Sequence, residues 1–217
     1  MKDIAIVGAG GLGREVLVLL HQINEETPTW NILGFYDDAP ALLGQYINGF
    51  PCLGAVSAIP DTSDELHIVL AIGNPVVKKK VLHQLQNHHL KFATLVHPLA
   101  QPRPYQHIEF GEGTLVFQGV VLTANIRIGH HVLVYLNCTV GHDAVLEDFV
   151  SLMPGVNVAG NTVLAEGVFM GSNAAILQGL QVGQGSQIGA GAVVTKSIPE
   201  GCTAVGVPAQ IIKRYAL

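Results

Sequence analysis

The neighbours His142 and Asp143 form the first pair in this chain whose residue types suggest proton chemistry. A neutral imidazole with an ordinary pKa of about 6.5 is a competent base near neutral pH. A carboxylate bonded to its other ring nitrogen fixes the tautomer and raises its basicity. Adjacent residues on a flat strand point to opposite faces, so the two can cooperate only where the chain turns a corner. The alternative for Asp143 is a plain turn residue, since Asp tolerates the left-handed backbone region. A second candidate is Gly8-x-Gly10-x-x-Gly13, between a short apolar run and a segment of helical spacing. Glycines there let the backbone approach a phosphate, and a helix start offers free N–H groups and a favourable dipole. Asp37 follows Gly13 by 24 residues, where a carboxylate can hold ribose hydroxyls in such folds. The alternative for the glycines is a tight turn with no ligand.

Two kinds of scaffold must position these groups. In the first half, strand and helix signals alternate. "IAIV" (Ile4 to Val7) reads as a buried strand, "LGREVLVLLHQI" as a helix, and "NILGFYDD" as a strand ending in Asp37-Asp38. "LHIVLAIGNP" reads as a third strand, residues 76–89 as a helix and "KFATLV" as a further strand. Strands alternating with helices predict a parallel sheet with covered faces, an α/β unit over residues 1–97.

The prolines Pro98, Pro102 and Pro104 mark the change to residues 98–217. From Phe110 to Pro199 the chain divides into fifteen six-residue units without an insertion, and the first position of every unit is apolar. The fifth position is mostly small or β-branched. A six-residue period belongs to neither a helix nor an ordinary strand, and predicts a parallel β-helix. Three units make one triangular coil, giving about five coils and a prism about 24 Å tall. The fourth position is Gly, Asn or Asp in twelve of the fifteen units, the exceptions being His131, Phe149 and Ser197. These types tolerate positive φ and predict a left-handed residue at each corner. His142 and Asp143 fall in the third and fourth positions, on a corner, with side chains directed outward.

Composition narrows the rest. Charged residues are 12% of the chain, net charge is −5 and no basic stripe exists, which argues against nucleic acid as a partner. Cys52, Cys138 and Cys202 are odd in number and far apart, which argues against a disulfide framework or a Cys-rich zinc site. His130, His131 and His142 lie on different corners with no third ligand in register, so no metal is expected. His130 and His131 are expected to be exposed, His97 to pack at the junction, and His83, His88 and His89 to form a solvated helix end. The start, with an early Asp and a cluster of glycines, is not expected to be a signal peptide. No apolar stretch approaches the roughly 20 residues of a membrane helix. A cytoplasmic protein is expected.

The unbroken hexads, the corner "GHD" and the ending "IGAGAVVTKSIPEGCTAVGVPAQII" resemble the hexapeptide acyltransferases with a left-handed β-helix. Together with "IVGAGGLGREV", "FYDD" and "AIGNP" they resemble the bacterial nucleotide-sugar N-acetyltransferases of the sialic-acid O-acetyltransferase (NeuD/PglD-like) family, from Lys2 to about Lys213. The resemblance implies a Rossmann-like first domain that holds a nucleotide-linked amino sugar. It further implies a homotrimer with acetyl-CoA in the cleft between adjacent prisms. His142 would be the general base and Asp143 its partner. Sugar-nucleotide contacts would fall on Gly10, Gly11, Leu12, Asp37, Asp38 and Gly73, and acetyl-CoA contacts on Ser151, Ser172 and Ala190. Ser151 and Leu12 stand where the family pattern has histidines, which bears on the thioester and nucleotide contacts. The implied reaction is N-acetylation of a UDP-linked 4-amino-4,6-dideoxy sugar. Its rivals are O-acetylation of a sialic-acid-type sugar and a non-catalytic sugar-nucleotide-binding trimer. Arg127 is the only basic side chain of the prism before Lys196, histidines aside, which disfavours a carboxylated sugar. The glycine turn alone would also admit NAD, but nothing in the β-helix offers hydride chemistry.

Overall fold

The computed structural model describes residues 1–60, 66–85 and 90–215. It divides into two compact units, Met1–Pro98 and Leu99–Leu217.

The first unit is built on a six-stranded sheet. Its elements are β1 (Lys2–Val7), α1 (Gly11–Glu26), β2 (Trp30–Tyr36), β3 (Tyr46–Ile47), β4 (Phe50–Gly54), β5 (His67–Leu70), α2 (Pro75–Gln84) and β6 (Lys91–Phe92). The strand order is β3-β4-β2-β1-β5-β6, parallel except for β3. Helix α1 buries Val16, Leu17, Leu19 and Leu20, the apolar stripe that its spacing predicts. Ala5, Val7, Ile68 and Leu70 pack with Tyr36, Val56, Ile59 and Leu85.

The sheet therefore grows from β1 in one direction to β2 and in the other to β5. Ligands of open α/β sheets bind beyond the carboxyl ends of the strands at such a reversal. The glycine turn follows β1, Asp37-Asp38 follow β2, and Gly73 follows β5, all at that edge.

Two details differ from the sequence reading. The short strands β3 and β4 form a hairpin that it missed. "KFATLV" is interrupted, with Lys91–Phe92 and Leu95–Val96 as separate strands. The expected end of the second helix, with His88 and His89, lies outside the described residues.

The second unit is the parallel β-helix. Fifteen two-residue strands, from Glu109–Phe110 to Val193–Val194, recur every six residues and pair with the strand eighteen residues on. Each strand joins the sixth position of one unit to the first of the next. First-position side chains are buried from Val116 to Val194, and fifth-position ones line the same interior, including Ile126, Val150 and Val168. Fourteen corner residues have positive φ. His131 (φ 54°) and Phe149 (φ 62°) are among them. They are exceptions in residue type and not in conformation. Their rings stack at 5.4 Å with an interplanar angle of 17°, a contact that offsets part of the cost of a bulky left-handed residue.

The fifteenth hexad is a correction. Ser197 is not left-handed, and Val182 bridges Ile198 at a spacing of sixteen residues. The repeat thus ends after Val194. Cys202–Val205 pairs with Gln187–Ile188 and turns back antiparallel as Gln210–Arg214.

Candidate active site

Positions 124–125, 142–143, 160–161 and 178–179 stack along one edge of the prism, one pair per coil. The backbone fixes this edge. Asp143 N–H donates to the Ala124 carbonyl at 3.0 Å, and Asn161 N–H donates to the His142 carbonyl at 2.8 Å. Asp143 takes the left-handed conformation (φ 59°), which swings its side chain to the same side as that of His142. His142 Nδ1 lies 2.8 Å from Asp143 Oδ2, with the two side chains 51% and 45% exposed. Asp143 thus serves both as the turn residue and as the partner of the histidine.

The His142 hydrogen bond, and after it a 3.1 Å bond from Asn125 Nδ2 to Oδ1, hold the Asp143 carboxyl below the usual carboxylate range; burial opposes them weakly. An ionised carboxylate only accepts, so Nδ1 carries the hydrogen, and in the neutral imidazole Nε2 keeps its lone pair. That is the tautomer a base needs.

At the edge of the first unit, Gly8 has φ 100°. A side chain on Gly13 would collide with the Gly8 carbonyl, so helix and turn touch only because residue 13 is glycine. Gly10 caps α1 without a side-chain bond, and the first turn holds no acidic residue. Gly10 and Gly11 are exposed, and none of the described residues lies within 4 Å of where a side chain would start. Leu12 and Gly73 are half-buried.

Asp37 Oδ2 accepts from Ala9 N–H at 2.7 Å and Oδ1 from Ala39 N–H at 2.8 Å. Asp38 Oδ1 accepts from Val56 N–H at 2.9 Å. Both carboxylates therefore brace the loops around the glycine turn.

The residues expected at acetyl-CoA stand on other parts of the prism. Ser172 and Ala190, half-buried and exposed, share an edge distinct from that of His142. Ser151 is 0% exposed and offers no surface to a ligand in this arrangement.

His131 is a correction, because it is buried and not exposed. His130 uses Nδ1 to accept the Glu112 N–H at 3.2 Å. Among the described residues no group of three His, Cys, Asp or Glu converges as a metal site would. A groove of about 590 Å³ lies on a face lined by Glu109, Arg127, His130, Glu147, Asp148 and Glu166 and does not include His142. Two of its acids brace the coils, Asp148 by accepting from His130 N–H and Glu147 from Glu166 N–H. An acidic groove also suits a phosphorylated ligand poorly. The His142–Asp143 pair stands on a different edge, with both side chains partly exposed.

Two residues at the dyad escaped the sequence reading, Asn125 and Gly160. The eighteen-residue coil period signals both, since they stand one coil from Asp143 and His142 respectively.

Fold and site define an acyltransferase of the hexapeptide-repeat class. Residues 3–85 match the PglD N-terminal domain family. The whole chain is 34% identical to GDP-perosamine N-acetyltransferase of Escherichia coli O157:H7, over 99% of this chain and 98% of that protein. The solved acetyltransferase domain of PglB from Neisseria gonorrhoeae, in complex with acetyl coenzyme A, superimposes with a TM-score of 0.86 at 31% identity, covering 97% and 99% of the two chains. PerB from Caulobacter crescentus, in complex with CoA and GDP-perosamine, gives a TM-score of 0.83 at 25% identity, covering 98% of each.

The chain belongs to the NeuD/PglD-like family of bacterial nucleotide-sugar N-acetyltransferases. It is an acetyl-CoA-dependent acetyltransferase with a Rossmann-like domain followed by a left-handed parallel β-helix. No helix among the described residues is long and apolar enough to cross a membrane.

Proposed function

We propose that the protein acetylates the amine of a nucleotide-linked 4-amino-4,6-dideoxy sugar, with His142 as general base and Asp143 as its partner. The observation that carries this reading is the 2.8 Å bond between Nδ1 and Asp143 on an exposed corner. The sugar amine must lose a proton as its nitrogen attacks. Nε2 takes that proton while the N–C bond forms, and returns one to the sulfur as the C–S bond breaks. Acetyl-CoA supplies the activated acetyl group and the thiolate leaving group. A backbone N–H at a corner would stabilise the developing oxyanion. No acyl-enzyme is needed, because an amine is already a competent nucleophile.

The first unit would hold the sugar nucleotide. The uncapped start of α1 and the open space over Gly10 and Gly11 suit a diphosphate. Leu12 and Gly73 would flank it, with Asp37 and Asp38 shaping the rim. The sequence reading favours a uridine nucleotide. A GDP-linked acceptor is the second reading, and the E. coli relative named for GDP-perosamine favours it.

The working unit would be a cytoplasmic homotrimer. Ser172 and Ala190 stand on a different edge from His142, so a neighbouring copy would bring an acetyl-CoA-holding edge to each dyad. Ser151 could join them only if its cover moved.

The test is incubation with acetyl-CoA and a panel of UDP-, dTDP- and GDP-linked amino sugars, following thiol release. Thiol release with an amino sugar, and none with its hydroxyl counterpart or a sialic acid, is the expected result. Release with a sialic acid alone would replace the reading with O-acetylation, and none with any acceptor would leave a binding trimer.

A further inference from the structure

Below His142 on its edge stands Gly160, one coil on and in the same third position. The backbone does not require glycine there. The left-handed residue of that corner is Asn161 (φ 54°), and Gly160 is not among the residues of positive φ. Other glycines of the coil, such as Gly111, Gly141 and Gly171, would drive a side chain into the backbone of the next coil. Gly160 differs. A methyl group on it would stand 2.6 Å from Nε2, 2.7 Å from Cε1 and 2.9 Å from Cδ2 of His142. Its three nearest neighbours would all be atoms of the imidazole.

We propose that Gly160 is a positioning residue for His142, and that the space left by its missing side chain is what lets the face of the imidazole, at its Nε2 end, lie against the coil. The inference rests on the reading of His142 as the base. Asp143 holds the ring in its plane by Nδ1, and Gly160 leaves room under the face of the ring at its Nε2 end. An alanine at 160 would sit within contact distance of the nitrogen that takes the proton. The obstacle is the end of a rotatable side chain and not backbone, so the coil accepts alanine by turning the ring away. Turning the ring breaks the 2.8 Å bond to Asp143 and moves Nε2. Misplacement of a reacting group by about 1 Å can lower a rate by about 10²-fold.

The test compares Gly160→Ala, His142→Ala and the double variant, with acetyl-CoA and the best acceptor from the amino-sugar panel. Gly160→Ala should lower kcat by about 10- to 100-fold and leave the KM for acetyl-CoA within about twofold. Added to His142→Ala, it should cost less than about a further twofold, because the group it positions is gone. A Gly160→Ala enzyme with wild-type kcat, beside a strongly impaired His142→Ala enzyme, would overturn the proposal alone. A loss repeated in full on the His142→Ala background would also overturn it, showing damage that does not pass through the histidine. If His142→Ala itself lost less than about tenfold, the reading of the base would fall and the proposal with it. A nuclear Overhauser contact between His142 Hε1 and the Gly160 α protons in the wild-type protein gives a check independent of how the variants fold. Its presence supports the arrangement and its absence refutes it.

Discussion

In the β-helix, the backbone bonds itself from coil to coil, and at the His142 corner the two side chains bond each other. In the α/β unit the acidic side chains that looked free to grip a ligand are tied to backbone N–H groups, Asp37 to Ala9 and Ala39 and Asp38 to Val56. The difference follows from periodicity. A coil repeated every eighteen residues meets most of its main-chain hydrogen-bonding needs with its own neighbours, with carboxylates such as Asp148 and Glu147 serving on another edge, and the side chains of the His142 corner bond each other instead. Irregular loops between strand and helix have no such neighbours and draw on carboxylates instead. A corner histidine can therefore be replaced with little harm to the wall, whereas replacing a loop carboxylate reshapes the site.

Asp143→Asn attacks the wall side of this comparison. Asn suits the left-handed corner as well as Asp does, as Asn125 and Asn161 show, so the coil should stay intact. The amide cannot stabilise the imidazolium, and kcat should fall by about 10- to 10²-fold with the melting temperature nearly unchanged. A loss below about threefold would separate Asp143 from the chemistry.

Asp37→Ala attacks the loop side. Freeing the Ala9 and Ala39 N–H groups loosens the glycine turn. The KM for the sugar nucleotide should rise about tenfold while that for acetyl-CoA stays put. Equal changes in both would show that the effect is not local to the first unit.

Smaller effects sharpen the contrast through buried polar groups. Burial lowers the Lys78 ammonium from 10.5 to about 7. The folded state therefore binds this proton less readily than the unfolded chain, and the group's cost to stability grows as pH falls from about 10.5 to about 7. Lys78→Met should flatten that rise of stability with pH, as denaturant titrations at pH 7 and pH 9 would show. Inside the prism, the buried Thr162 hydroxyl has no hydrogen-bond partner among the described residues. Thr162→Val keeps the branched shape and removes the orphan group, so stability should rise by about 1 kcal/mol with activity unchanged.

The same contrast explains what could be read from the chain alone. The hexads gave the prism, its inward residues and the corner under Asp143, because a period of six admits no other regular structure. They misled only where residue type and conformation part company. His131 and Phe149 are unusual at corners yet adopt the corner conformation, held by their stack. Ser197 sits in a corner slot by count, but the chain has already left the coil for the Cys202–Val205 hairpin. In the first unit the strand and helix alternation was legible, and so were the turns at the carboxyl edge. The partners of Asp37 and Asp38 were not, because bonds to Ala9 and Val56 depend on loop shapes that no period dictates. Asn125 and Gly160 were within reach of the pattern. Both stand eighteen residues from the dyad, and vertical neighbours on one edge follow from the coil length.

The central claim is that an imidazole braced by its neighbouring carboxylate takes the proton from the attacking amine. The most direct test is the kcat of His142→Ala under saturating acetyl-CoA and acceptor, with the oligomeric state checked against wild type. A fall of about 10²- to 10⁴-fold in an otherwise intact protein is the predicted result; a fall of less than about tenfold would contradict the claim.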